Sequence, residues 1–209
     1  ATSSDSGTVV PAGVQIGLGV KTASVYTINE QGNLQSTENP LDLAISGTGY
    51  FQISLPSGDT AYTRAGSFQL SPAGELVTVD GYTVEPAITV PPNTQQITVN
   101  SSGEILVQVA GSVAEQNVGQ LQLANFANTA GLNPVGDNLF LETTASGSPV
   151  TGNPGNAGFG TMLQGFLETS NVNTVSEITN LITAQRAYEM NSKVIETSDE
   201  MLSTITRMR

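Results

Sequence analysis

The C-terminal stretch from Thr174 to Met208 repeats apolar residues at heptad spacing. Residues seven apart lie on nearly the same side of a helix, so the repeats merge into one broad apolar stripe. Its members form three columns: Leu181, Tyr188, Ile195 and Leu202; Ala184, Asn191, Ser198 and Ile205; and Ala187, Val194, Met201 and Met208. The opposite surface carries mostly acidic residues. At about 1.5 Å per residue, this pattern predicts a helix about 50 Å long.

A stripe of this length must be buried against something, and two interpretations stay open. The helix lies on its own domain, as most helices in proteins do, or it forms a coiled-coil seam with another helix. Its length and sustained heptad phase favour the seam, in which the polar residues Asn191 and Ser198 would specify register. No other stretch predicts a helix long enough to be its partner, so we expect that partner in another chain or in a segment absent from this sequence. The spacing from Thr174 to Glu177 predicts a capping box at the start.

The charge balance excludes several classes of partner. The chain has a net charge of −12, and no Lys or Arg occurs between Arg64 and Arg186. Nucleic acids and anionic membranes both attract basic surfaces, so we predict that the protein binds neither. No apolar run approaches the length of a membrane-spanning helix, and residue 1 does not begin a cleavable signal peptide. We therefore predict no membrane insertion, and we expect the sequence to be a truncated one.

The absence of two residue types argues against catalysis. The chain contains no His and no Cys, which removes the commonest general base, the thiolate nucleophile and the commonest transition-metal ligands. Carboxylates alone can still perform catalysis, as in glycosidases. We nevertheless predict a non-enzymatic protein with no catalytic residues, no cofactor and no metal site.

The middle of the chain has the pattern of an all-β body, in which short strands alternate with turns. The clearest hairpin is 76–84, where Asp80 and Gly81 predict a two-residue type I′ turn. A strand is expected among residues 20–28, and the Gly- and Pro-rich run Ser146–Gly160 is predicted to be a long loop. Further strands are predicted at 43–45, 50–53, 61–64, 68–70, 97–99, 105–109, 119–126, 139–143 and 162–168. The fold class is therefore mainly β, a sandwich or open barrel of short antiparallel strands, with one long C-terminal helix.

Arg64 is the one basic residue of the predicted β body. Its guanidinium could form a bidentate pair with a carboxylate, and two partners stay open. One is an acid within the chain, and the other is the acidic surface of a neighbouring subunit.

Several longer segments resemble the rod and hook proteins of the bacterial flagellum. The strand-to-helix passage Leu163–Asn173 and the segment Ala184–Lys193 resemble the C-terminal signature of that family. Upstream, Gly47–Phe51 and Tyr62–Phe68 resemble its Gly-x-Gly-Phe-Phe and Tyr-Thr-Arg-x-Gly-x-Phe segments. Within the family, residues 167–173 and 84–88 resemble the distal rod subfamily.

The resemblance implies a structural polymer that is exported by the flagellar type III apparatus without a cleaved signal. Subunits would stack helically into a rigid hollow drive shaft that carries torque from motor to hook. An N-terminal helix that this sequence lacks would pair with the C-terminal helix. The implied domains are a leader and connecting segment (1–40), an all-β outer domain (41–170) and the heptad helix of the inner core (171–209).

The implied partners are other copies of the chain, other rod and hook proteins, and the surrounding P and L rings. The implied location is the basal body, from periplasm to outer membrane. The assembly interface is then expected at the following residues: Leu181, Ala184, Ala187, Tyr188, Asn191, Val194, Ile195, Met201, Leu202 and Ile205. A hook or proximal rod subunit is the alternative within the family, and a carbohydrate-binding or adhesive β module with a helical stalk is the alternative outside it.

Overall fold

The computed structural model describes residues 28–112 and 114–207, with the side chains of residues 205 and 206 excepted. This part of the chain holds short strands, one 3₁₀ turn and one long helix. The elements are β1 (Leu34–Ser36), β2 (Leu43–Ser46), β3 (Tyr50–Ser54), β4 (Thr60–Thr63), β5 (Phe68–Leu70), β6 (Leu76–Thr78), β7 (Thr83–Glu85), β8 (Thr94–Val99), β9 (Glu104–Val109), β10 (Gln116–Gln120), β11 (Leu123–Asn125), the 3₁₀ turn (Thr129–Gly131), β12 (Asn133–Gly136), β13 (Leu139–Leu141), β14 (Val150–Gly152), β15 (Thr161–Gln164), β16 (Phe166–Glu168) and α1 (Thr174–Arg207).

The strands form four sheets, and every strand pair among the described residues is antiparallel. The largest sheet has nine strands and follows the order β12–β13–β4–β3–β7–β6–β5, with β11 and β14 attached beside β3. Strands β8, β9 and β10 form a second sheet, and the pairs β2–β15 and β1–β16 form two small ones. The prediction of a mainly antiparallel β protein with one C-terminal helix is confirmed.

Strand β3 lies at the centre of the packing and buries both of its faces. Phe51 and Ile53 point into the main core, where the ring of Phe51 meets that of Phe68 edge to face at 5.0 Å between centroids. Tyr50 points to the other face, into a second cluster with Tyr62 and Phe126. Successive side chains of a strand alternate between faces, so one short strand connects the two cores.

The predicted hairpin at β6–β7 is present, but its predicted type I′ turn is wrong. Gly81 has a positive φ of 88°, whereas Asp80 is not among the residues with positive φ. The Gly81 N–H donates to the Thr78 carbonyl, and Thr78 pairs with Tyr82. The loop therefore has three residues, a type I turn closed by a left-handed glycine. Two consecutive positive φ values occur instead at Asp137 and Asn138, between β12 and β13.

Three other sequence boundaries differ from the structure. The predicted strand 119–126 is split, since β10 pairs with β9 while β11 joins β3 and β14. The predicted loop Ser146–Gly160 contains β14. The predicted strand 162–168 is divided at Gly165, whose φ of 75° ends β15 and starts β16 in another sheet. The expected strand among residues 20–28 lies, apart from Ile28, outside the described residues, as does the predicted leader.

Helix α1 begins at Thr174, as predicted, but its cap lies one residue earlier. The Asn173 side-chain oxygen accepts the N–H groups of Val175 and Ser176. Asparagine is among the strongest N-cap residues because its oxygen satisfies amides that have no helical partner. Asn173 is thus the N-cap, rather than the Thr174 of the predicted capping box. Among the described residues, no helix is both long and apolar enough to cross a membrane.

We predict that Phe51→Ala will lower the free energy of unfolding by about 3–5 kcal/mol, the usual cost of removing a buried Phe ring. Phe51 is fully buried and its ring packs against Phe68. Urea unfolding of the two proteins measures the difference. Val150→Ala is the control, because Val150 is 64% exposed and its truncation should change stability by less than about 0.5 kcal/mol. An equal loss in both variants would contradict the assignment of the core.

Candidate assembly site: the C-terminal helix and its neck

Helix α1 presents its apolar stripe to solvent. Tyr188 is 76% exposed, Leu181 68% and Ile195 65%. Every helical residue whose burial is described is exposed except Ser198, which is half-buried. Full burial of a large apolar side chain stabilises by about 1.5–3 kcal/mol. A row of such side chains left in water makes this helix the candidate surface for assembly.

The residues predicted for the assembly interface all lie in α1. Nine of them have described side chains, and all nine are exposed: Leu181, Ala184, Ala187, Tyr188, Asn191, Val194, Ile195, Met201 and Leu202. The tenth, Ile205, lies in the last turns of the helix, and its side chain is outside the described part. A single chain does not test which of them touch a neighbour, so their role in assembly stays a prediction.

The helix is joined to the β body through a neck, which we define as residues 28–36 and 166–173. Strand β1 of the incoming segment pairs with β16 of the outgoing segment. Beyond the strands, the Thr169 N–H donates to the Asn33 carbonyl at 2.8 Å. The amide of Asn171 donates to the carbonyls of Ile28 and Glu30. The incoming chain therefore runs alongside the outgoing chain almost to the N-cap of α1.

The tightest approach in the neck is at Gly32. A Cβ atom at this position would lie 1.8 Å from the Thr169 carbonyl oxygen, which is well inside any van der Waals contact. The Gly32 N–H also donates to Glu168 Oε1 at 2.9 Å. Only glycine lets the two segments come this close, because it has no Cβ atom.

Arg64 fastens the neck to the β body. Its Nε donates to Glu168 Oε2 at 2.8 Å, and its Nη2 lies 2.8 Å from the same oxygen. Nη1 donates to the carbonyls of Gly47 and Gly49, and Nη2 to that of Ile45. The side chains of Arg64 and Glu168 are only 21% and 11% exposed. Each of the three guanidinium nitrogens thus has an acceptor within the chain.

Of the two partners expected for Arg64, the structure shows the intrachain carboxylate. Contact with a neighbouring subunit is not tested by one chain and stays a prediction. The partner could not be read from the sequence, since Glu168 is 104 residues away. The roles of Gly32 and Asn171 in the neck were also not predicted, because contacts between segments distant in sequence leave no local pattern.

The tyrosines beside this cluster are affected by burial. Burial raises the pKa of the Tyr50 hydroxyl, and the positive charge of Arg64 partly opposes that rise. The pKa of Tyr62 is also raised, mainly by burial and further by the negative charges of Glu142 and Glu85. Both hydroxyls therefore stay neutral around neutral pH. Within the described residues, no group of acidic side chains is arranged to hold a metal ion.

Comparison with known proteins assigns a family to this arrangement. The model of the flagellar hook protein FlgE/F/G D1 domain matches residues 44–107, from β2 into β9. The model of the flagellar basal body rod FlgEFG protein C-terminal matches residues 163–208, which include the outgoing neck segment and α1. The chain is 58% identical over 207 residues to the flagellar basal-body rod protein FlgG of Caulobacter vibrioides, covering 99% of this chain and 79% of that protein.

The chain belongs to the flagellar rod and hook protein family. Its likeness to FlgG proteins extends to relatives from other bacteria. Identity is 53% over 199 residues with FlgG of Agrobacterium fabrum, covering 95% of this chain and 76% of that protein. It is 43% over 201 residues with FlgG of Bacillus subtilis, covering 93% of this chain and 75% of that protein. The family suggested by the sequence segments, with FlgG-type rod proteins as the nearest group, is therefore confirmed.

We predict that Gly32→Ala will open the neck while leaving the β body folded. The new methyl group would overlap the Thr169 carbonyl, and overpacking of this kind costs about 1–3 kcal/mol. Hydrogen exchange should speed up at the amides of residues 28–36 and 166–173 but not at the core strand β3. Gln35→Ala is the control, because Gln35 is an exposed residue of the same strand pair. Unchanged exchange in the Gly32 variant would contradict the packing described for the neck.

Proposed function

We propose that this chain is a structural subunit of the flagellar distal rod and that it stacks helically into a rigid hollow shaft that transmits torque from motor to hook. The observation that carries the proposal is the exposed apolar stripe of α1 in a chain of FlgG type. In a helical assembly, the α1 helices would lie inside and bury their stripes against other helices. The predicted outer domain, residues 41–170, would lie outside, and residues 171–209 would belong to the inner core.

The course of the neck supports this arrangement of the helices. The carbonyls of Ile28 and Glu30 are bound by Asn171, two residues before the N-cap of α1. Ile28 therefore lies beside the start of α1. We propose that a helix from the N-terminal part of the protein packs on the stripe, as the family resemblance implies.

The proposed role sets the expected partners and location. The subunit would contact other copies of itself, other rod and hook proteins, and the P and L rings around the rod. It would be exported by the type III apparatus without a cleaved signal and would span from periplasm to outer membrane. The role is mechanical, so we propose that the protein is not an enzyme and uses no cofactor.

We predict that Ile195→Glu will abolish assembly. Ile195 lies in the middle of the stripe and is 65% exposed in the single chain, so a carboxylate there would be buried without a partner once helices pack, at a cost of several kcal/mol. Motility and electron microscopy of basal bodies measure assembly, and circular dichroism of the purified chain checks that the β body still folds. Glu196→Gln, on the charged face, is the matched control and should assemble. Normal motility of the Ile195 variant would refute the role of the stripe.

The position in the flagellum can be tested on basal bodies purified from the source organism. Cryo-electron microscopy with mass spectrometry should find this chain in the straight segment between the rings and the hook. Its presence in the curved segment would make it a hook subunit, and its presence next to the motor a proximal rod subunit. Its absence from the whole structure would overturn the proposal.

A further inference from the structure

Helix α1 and the β body are connected by a small number of neck contacts. Residues along α1 are exposed, so the direction in which the helix leaves the body depends on the neck. The strand pair β1–β16 and the Asn171 amide hold the two neck segments to each other. Other contacts hold the neck to the body. Among them, the side chain that forms a charged contact between body and neck is Arg64.

Arg64 grips both sides of the boundary at once. On the body side it donates to three carbonyls of the β2–β3 region, those of Ile45, Gly47 and Gly49. On the neck side it pairs with Glu168, whose second oxygen accepts the Gly32 N–H of the other neck segment. Charge-assisted bonds from a planar guanidinium are about twice as strong as neutral ones and fix direction as well as distance. We call Arg64, Glu168 and Gly32 the neck clasp.

Neutral side chains add further bonds between neck and body. The Gln31 amide donates to the Ile45 carbonyl, and its oxygen accepts the Gly47 N–H. The Asn29 amide donates to the carbonyl of Thr129. These residues lie on the incoming segment. On the outgoing segment, which continues into α1, the charged bond from Arg64 holds Glu168, the last residue of β16.

An open cleft of about 400 Å³ lies next to the clasp, between the neck and the aromatic face of the body. Residues from both sides line it, among them Ile28, Glu30, Asn171, Tyr50, Asn138 and Phe140. At this cleft a gap therefore separates the neck from the body. Space exists for it to tilt, and the clasp lies at the edge of that space.

We propose that the neck clasp is a mechanical joint that fixes the angle between α1 and the β body, and that the adjacent cleft is the space into which the neck tilts when the clasp is broken. In a torque-carrying polymer, such a joint would make the outer β bodies follow the helical core without lag. This inference rests on the proposed function for its purpose but not for its test, because the angle is a property of one chain.

The chain contains no Cys, so pairs of introduced cysteines can carry spin labels without background. We would label Val150→Cys in the body and Gln185→Cys in the exposed helix of the full-length protein and measure the distance distribution by pulsed electron resonance. Glu168→Gln removes the charge at nearly constant shape, and Arg64→Lys keeps the charge but loses the planar fork. Both should broaden and shift the distribution. A second label pair within the body, Val79→Cys with Val150→Cys, should stay unchanged in every variant.

Glu104→Gln is the matched control, because it removes a half-buried carboxylate whose bonds to Asn100 and Ser102 lie within the β8–β9 turn. It should leave the body-to-helix distribution as narrow as in the parent protein. A broad distribution in the parent, or no change in both clasp variants, would overturn the joint. If the clasp variants also change the pair within the body, the contacts stabilise the fold rather than the angle, and the joint is likewise overturned. If Ile195→Glu abolishes rod assembly but the clasp variants leave the distance distribution unchanged, the proposed function stands and this inference alone is refuted.

Discussion

The antiparallel meeting of the incoming and outgoing chain in the neck is the constraint on which the rest of the structure depends. It joins residues more than 100 positions apart, as in the bond from the Gly32 N–H to Glu168. Closing so long a loop costs conformational entropy, and the β body between the two ends offsets that cost through its buried cores. The neck in return holds Ile28 and Glu30 beside the start of α1. Body, neck and helix are thus joined by a continuous series of contacts.

The β body contains many acidic side chains and a single basic one. That basic residue, Arg64, forms its ion pair within the chain, at the boundary with the neck. A half-buried guanidinium is tolerated here because each of its three nitrogens has an acceptor and a carboxylate lies beside it. The exposed remainder of the body is neutral or acidic. Under the proposed function, contacts between such bodies would rely on shape and neutral hydrogen bonds, and the apolar stripe of α1 would provide the main driving force for assembly.

The body and the helix therefore differ in what stabilises them. The two cores around β3 give the body a fixed shape without help from neighbours. The helix has the opposite property, since its exposed apolar residues would gain stabilisation only when a partner covers them. A subunit built in this way can fold its outer part first and complete its inner part during assembly.

The sequence by itself determined the elements whose signals are local. Heptad spacing of Leu181, Tyr188 and Ile195 determined the helix, and alternation with turn residues determined most strands, because both patterns are contained within a few consecutive positions. The sequence did not determine the turn type between β6 and β7, since Asp80–Gly81 suits a type I′ turn as well as the three-residue loop that the flanking strands impose. Only the tertiary structure decided that 119–126 divides between two sheets, that Glu168 is the partner of Arg64 and that Gly32 must lack a side chain. These features depend on groups brought together from distant parts of the chain, and no local pattern records which distant group will arrive.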